Sequence, residues 1–250
     1  MGLSTRVDAI SEQHIGVKLA LGLGVLVVGG LLIVGGAYAF GAFLFYDSYE
    51  TSYTYELELS VDGATDDLVV IVPAPAHDDD VTIGELSLWT SNDRVGDWEY
   101  DRIDTEHGPM LEISISEIAG ADQLIFESTV HSDRTIETKS PRGAEPVLSP
   151  LYDFKEIDSS FERRPDTRRY SVTSMAYAEH GGSDEVLISM ILRHEGANTW
   201  WTFGWSGNYY ETYVTSIGVT PDPAGEWWQL QGDHQEGAGS YARFGPPLPR

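Results

Sequence analysis

The sequence predicts a mainly β protein behind one N-terminal transmembrane helix, and three observations carry that prediction. Residues 19–46 form an uncharged run of 28, LALGLGVLVVGGLLIVGGAYAFGAFLFY. Beyond it, apolar and polar residues alternate with a period of two in one segment after another. Gly- and Pro-containing turns separate these segments at the spacing of a β-sandwich. The expected organisation is a tail at 1–18, the membrane helix at 19–46 and an outer β-domain at 47–138 with an immunoglobulin-like strand count. A linker with a short amphipathic helix follows at 139–168, then a second outer β-domain at 169–245. Two small β-sandwich-like domains are thus expected, with one larger β-sandwich as the alternative.

About 20 apolar residues cross a bilayer, so the 19–46 run spans one with length to spare. Arg6 and Lys18 precede it, whereas the first positive residue after it is Arg94. The positive-inside rule therefore places the N-terminus in the cytoplasm and the C-terminal part outside. The competing reading is a secreted chain cleaved after Ala37-Tyr38-Ala39, an A-x-A site. Against it, the apolar run is about twice as long as the h-region of a signal peptide and continues past that site. Gly22, Gly29 and Gly36 recur every seven residues and form one small-residue stripe, the kind of face through which membrane helices self-associate.

Directly after the membrane run, Tyr53, Tyr55, Leu57, Leu59 and Val61 alternate with polar residues, the pattern of a half-buried strand. Gly63 turns the chain into the continuous apolar run at 68–72, which suits a strand covered on both faces. Further strands are expected at 86–90, 97–104, 110–116 and 123–131, with a hairpin turn through Glu106, His107, Gly108 and Pro109. In the last block Tyr170, Val172, Ser174 and Ala176 alternate with Thr173, Met175 and Tyr177. The segment 185–194, EVLISMILRH, carries helix-cap signals but is rich in β-branched residues, and we read it as a strand.

Three prolines in KSPRGAEPVLSP, residues 139–150, would end a sheet. Ser149-Pro150 then looks like a helix start, with Leu151, Phe154, Ile157 and Phe161 on one helical face. Four arginines follow closely, Arg163, Arg164, Arg168 and Arg169. They are either a contact for an anionic partner or partners of the chain's own carboxylates.

Charge composition narrows the setting. The chain holds 40 acidic and 15 basic residues, a net charge of −25. Such a surface repels itself in dilute buffer and is tolerated where molar salt shortens the Debye length to about 3 Å. It also argues against a nucleic-acid partner, because phosphate binding runs on lysine and arginine. The run Asp78-Asp79-Asp80 lacks the alternation of a calcium loop. Without cysteine there is no disulfide, thiolate metal site or cysteine nucleophile.

Catalytic motifs break off. Gly204-Trp205-Ser206-Gly207 begins like a nucleophile elbow, but Asn208 occupies the fifth position. His194-Glu195 begins like H-E-x-x-H, but Asn198 stands where the second histidine belongs. No cofactor is expected, and none of Asn92, Asn198 and Asn208 starts a glycosylation sequon.

Residues 198–210, NTWWTFGWSGNYY, concentrate aromatic side chains. A two-residue loop at Gly207-Asn208 would put Trp201, Phe203, Trp205, Tyr210 and Val214 on the core face. Trp200, Tyr209, Glu211 and Tyr213 would then form an outer patch suited to glycan stacking.

The acidic, lysine-poor composition, the single membrane helix, the outer β-part and the 200–208 patch together resemble membrane-anchored envelope proteins of halophilic archaea. The resemblance implies a location and a salinity without an activity. The expectation is a membrane-anchored extracellular β-protein with a structural or binding role, its partners the lipid bilayer and an envelope protein or glycan. Its alternatives are a carbohydrate-binding module and an enzyme whose site is assembled from distant residues.

Overall fold

The structure, a computed structural model, describes residues 4–78, 80–84, 86–90, 98–157, 167–181, 185–202 and 204–241. It divides into two compact units, Met1–Ser48 with Trp201–Gly204, and Tyr49–Trp200 with Trp205–Arg250. The first is built on helix α1 (Ser4–Asp47). Within Leu23–Asp47 an 18-residue stretch has a mean hydropathy of 2.2, and the helix is long and apolar enough to cross a membrane, which fits membrane anchoring. Ser48 caps it, donating its hydroxyl to the Leu44 carbonyl at 2.6 Å and so pairing one of the orphan acceptors of the last turn.

The second unit is antiparallel β. Its strands are β1 (Glu50–Asp62), β2 (Thr65–His77), β3 (Asp80–Val81), β4 (Leu86–Thr90), β5 (Trp98–Thr105), β6 (Gly108–Ile118) and β7 (Asp122–His131). Then come β8 (Val147–Ser149), β9 (Tyr152–Glu156), β10 (Arg168–Glu179), β11 (Leu187–Trp201), β12 (Trp205–Val219) and β13 (Glu226–Gly239). The main ladder runs β4-β7-β1-β11-β12-β13-β10-β2-β6-β5, with β3 and β8 on β2 and β9 on β10. Strands from 47–138 and from 169–245 therefore share one ladder, the later four inserted between β1 and β2 of the earlier block. The sheet curls so that its inner face closes on itself. Across that interior the Tyr55 hydroxyl on β1 donates to the Pro73 carbonyl on β2 at 2.8 Å, and Tyr100 on β5 meets Phe126 on β7 edge to face at 5.4 Å.

The period-two patterns determine which side chains face inward. Tyr53, Tyr55, Leu57, Leu59 and Val61 of β1 are all buried, as are Tyr170, Val172, Ser174, Ala176 and Ala178 of β10. In β2 the register sets Leu68, Val70 and Val72 opposite Ile115, Ile113 and Leu111 of β6. These residues form the main core with Leu124, Phe126, Ile188, Met190, Leu192 and Leu230. The expected hairpin forms between β5 and β6, with Thr105 opposite Gly108. The segment read as a strand at 185–194 lies largely in β11, a strand running from Leu187 to Trp201.

Two expectations are corrected. Residues after Pro150 form strand β9 in place of an amphipathic helix; Glu156 faces Tyr170 and Lys155 faces Ser171 of β10. Asp153 takes a left-handed φ of 55°, which a right-handed helix does not admit. Leu151 and Phe154 still pack against the core, so their three-residue spacing reflected burial and not helix. Phe161 lies outside the described residues.

The second correction concerns the aromatic hairpin, which is closed between Thr202 and Gly204 and not at Gly207-Asn208. The Thr202 amide donates to the Gly204 carbonyl at 3.1 Å, and Gly207 and Asn208 lie within β12. Asn198 thus meets Asn208 across the strands, its Nδ2 donating to Oδ1 at 2.8 Å. Moving the turn inverts β11: Trp200 points inward at 4% exposure, whereas Trp205, expected in the core, is 72% exposed. Tyr210 and Val214 are buried as expected, and Phe203 lies outside the described residues. Truncating Trp200 to Ala is accordingly expected to cost about 3–5 kcal/mol. Trp205→Ala should stay within about 0.5 kcal/mol of the parent. Thermal unfolding of the full chain in detergent, followed by circular dichroism, measures both.

Candidate functional site

Residues 132–150, of which 139–150 were expected to belong to a linker and 132–138 to the end of the first β-domain, run as a strap inside one end of the curled sheet. Ile136, Thr138, Glu145 and Leu148 of this segment are buried. A buried backbone must find partners for its polar groups, and here the surrounding strands supply them. Asn198 on β11 clamps Ile136 twice: its Oδ1 accepts from the Ile136 amide and its Nδ2 donates to the Ile136 carbonyl, both at 2.9 Å. The Thr138 hydroxyl donates to Asn208 Oδ1 at 2.8 Å, and the Thr138 carbonyl accepts from the Gly237 amide at 2.7 Å. Further along, the Ser174 hydroxyl on β10 donates to the Pro150 carbonyl at 2.5 Å.

The strap also carries a buried carboxylate. Glu145 accepts from the Tyr53 hydroxyl at 2.6 Å, from the Glu137 amide at 2.7 Å and from Arg134 at 3.4 Å. Burial, with the adjacent Glu145 carboxylate second, pushes the Tyr53 hydroxyl well above its ordinary range, so Tyr53 remains a donor.

Next to Glu145, the Pro146 carbonyl accepts from the Tyr210 hydroxyl and lies 2.9 Å from His194 Nε2. The other ring nitrogen, Nδ1, lies 3.1 Å from the Thr54 carbonyl. Burial lowers the His194 pKa to about 4, although both carbonyls work the other way. The ring is therefore neutral at pH 7 and donates through one nitrogen only. Gly196 makes room for this arrangement, since a Cβ there would sit 2.3 Å from the Tyr210 ring.

His234 on β13 is equally buried, with Nδ1 2.8 Å from Thr212 Oγ1 and Nε2 3.4 Å from Glu236 Oε1. The geometry at Nε2 is not that of a hydrogen bond. Arg142 of the strap donates to Glu236 at 2.9 Å, and its guanidinium lies over the rings of Phe154 and Tyr170 at 4.4 and 4.8 Å. Burial alone would raise the Glu236 pKa, but His234 and Arg142 outweigh it and hold the carboxyl below its ordinary value. The donors and acceptors of this cluster thus point mainly at one another and at the strap. The arrangement holds the strap in the sheet; among the described residues no group of three or more His, Asp or Glu side chains is placed to bind a metal.

The residues singled out in the sequence lie elsewhere. Trp200 faces inward and stacks on Tyr49 at 6.3 Å, which separates it from Tyr209, Glu211 and Tyr213 on the outer face of β12. Glu211 is engaged by Arg193, which also reaches Glu195 at 3.3 Å. The expected four-residue patch is therefore split between the two faces of the sheet. Arg169 pairs with Asp233 at 3.3 Å, Arg168 is exposed beside Tyr170, and Arg163 and Arg164 lie outside the described residues. Side chains added at Gly29 and Gly36 would meet nothing within 4 Å, so that part of the stripe is open; the surroundings of Gly22 lie outside the description.

His194 and His234 escaped motif reading because neither completes a catalytic signature. A signal existed in the alternation: Ile188, Met190, Leu192 and His194 share one parity, as do Trp228, Leu230 and His234, and parity places both histidines inside.

The neutral His194 makes stability pH-dependent in a defined window. Above the ordinary histidine pKa of 6.5 neither folded nor unfolded ring is protonated, and the contribution is complete. As pH falls from 6.5 toward 4, the unfolded chain takes up a proton that the folded chain refuses, so stability is lost. A loss of about 3 kcal/mol is expected across that window. His194→Gln, which keeps an amide donor for Pro146, should flatten this part of the profile when denaturation is measured at pH 7 and pH 4 in constant salt. Comparisons with protein-family models, curated proteins and solved structures find no significant match to this chain.

Proposed function

We propose that this protein is a single-pass membrane protein, N-terminus in the cytoplasm, that holds a β-domain on the outer face of the cell envelope of a halophile. Its role is structural or binding, toward an envelope protein or glycan. The observation that carries the reading is the order along the chain: an apolar helix long enough to cross a membrane is followed, after only Ser48 and Tyr49, by strand β1. The distribution of charge supports it. Arg6 and Lys18 lie before the helix, and the part after it holds 38 acids against 13 bases. Lysine is reduced to three positions, Lys18, Lys139 and Lys155, as suits an exterior solvated in concentrated salt. The buried cluster supports a structural role, since its polar groups are occupied in retaining the strap.

A chain without cysteine allows a direct test of topology. Ile217→Cys should react with a membrane-impermeant maleimide in intact cells, and Ser11→Cys only after lysis. The membrane fraction should retain residues 1–39, and whole-cell crosslinking should join the β-domain to envelope neighbours. A mature chain beginning at Phe40, or labelling in the opposite order, overturns the proposal.

A further inference from the structure

The connection between β11 and β12 also meets the end of the helix. Trp201–Gly204 belong to the same compact unit as the helix. Ser48, the residue after the helix end, accepts the Trp201 amide on its hydroxyl at 2.7 Å while donating to Leu44. The turn therefore begins where the apolar run ends. Taking 1.5 Å per residue, the 25 residues of Leu23–Asp47 extend roughly 37 Å, more than the roughly 30 Å of a hydrocarbon core. Phe43, Leu44, Phe45 and Tyr46 carry the apolar run up to Asp47, so in the anchored reading its end would lie at the boundary between acyl chains and headgroups.

Residues 196–210 are also the longest uncharged run outside the membrane segment, fifteen residues in a chain that is 22% charged. Trp205 follows the turn and is 72% exposed, although burying its indole would be favourable. Tryptophan is enriched at bilayer interfaces because its ring body is apolar while its N–H remains hydrated. Depth is limited as well, since irregular backbone does not enter lipid hydrocarbon.

We propose that Trp201, Thr202, Gly204 and Trp205 seat in the headgroup–acyl boundary of the bilayer that the helix spans, giving the β-domain a second attachment to the membrane. The inference rests on the anchored reading above. Lipid is preferred to a partner protein or second copy as the occupant because the turn is hydrogen-bonded to the end of the membrane helix itself.

The test uses single-cysteine variants of the full chain carrying an environment-sensitive fluorophore, reconstituted in phosphatidylcholine–phosphatidylglycerol vesicles. Reporters replace Thr202 and Trp205 in the turn, Ile33 in mid-helix and Ile217 at the far end of β12, where it is 84% exposed. Nitroxide lipids labelled near the headgroup should abolish most of the fluorescence at 202 and 205, deeply labelled lipids that at 33, and aqueous iodide that at 217. If iodide reaches either turn reporter as readily as it reaches 217 while 33 remains deep, the inference falls and the anchor stands. Iodide reaching 33 removes both. A turn reporter shielded from iodide and lipid alike means that protein covers it, which also overturns the inference.

Discussion

The Pro146 carbonyl, shared by the Tyr210 hydroxyl and His194 inside the sheet, is the contact on which the interior arrangement turns. The 132–150 strap, with Ile136, Thr138, Glu145 and Leu148 buried, occupies one end of the curled sheet. That solution brings amides and carbonyls into the interior, where each one left unpaired costs about 1–3 kcal/mol. Asn198, Asn208, Tyr210, His194 and Ser174 point inward for that reason, at positions whose parity would otherwise call for aliphatic residues. Ladder pairing extends the same solution to both sides of Pro150, through β8 on β2 and β9 on β10.

Much of this was legible in the sequence, and the exceptions share a cause. Strands β1, β2, β6 and β10 were read correctly because each buries one continuous apolar parity, or both. The strap was not, since Glu145 and the three prolines of 139–150 have the composition of a linker and become interior only through partners distant in sequence. The aromatic hairpin failed on parity. Gly207-Asn208 is a sound turn signal locally, but closure between Thr202 and Gly204 lets Asn198 and Asn208 meet and clamp the strap, and tertiary pairing overrode turn propensity. Trp200 and Trp205 exchanged roles as a consequence.

The buried ionic groups stand apart from the acidic exterior. Glu145 and Glu236 are almost wholly enclosed, and each has an arginine from the strap, Arg134 and Arg142. Molar salt screens exposed pairs such as Arg193–Glu195 far more than an enclosed carboxylate. Concentrated salt therefore relieves the repulsion among surface acids while leaving these two contacts largely intact. A chain with net charge −25 can in this way keep an electrostatic lock where the solvent does not reach.

The same charge limits how the domain can rest against a membrane. Asp47 and Glu50 flank the junction, so an anionic lipid surface would repel that part of the chain. Attachment through lysine and arginine is closed to so acidic a protein, whereas an uncharged aromatic turn gains from apolar burial without a counter-charge. Aromatic contact with lipid works in salt that would screen a basic patch, because hydrophobic burial strengthens where Coulombic attraction fades. A turn freed of charge between Glu195 and Glu211, in a chain otherwise dense in acids, is therefore consistent with the physics of the exterior as much as with the packing inside.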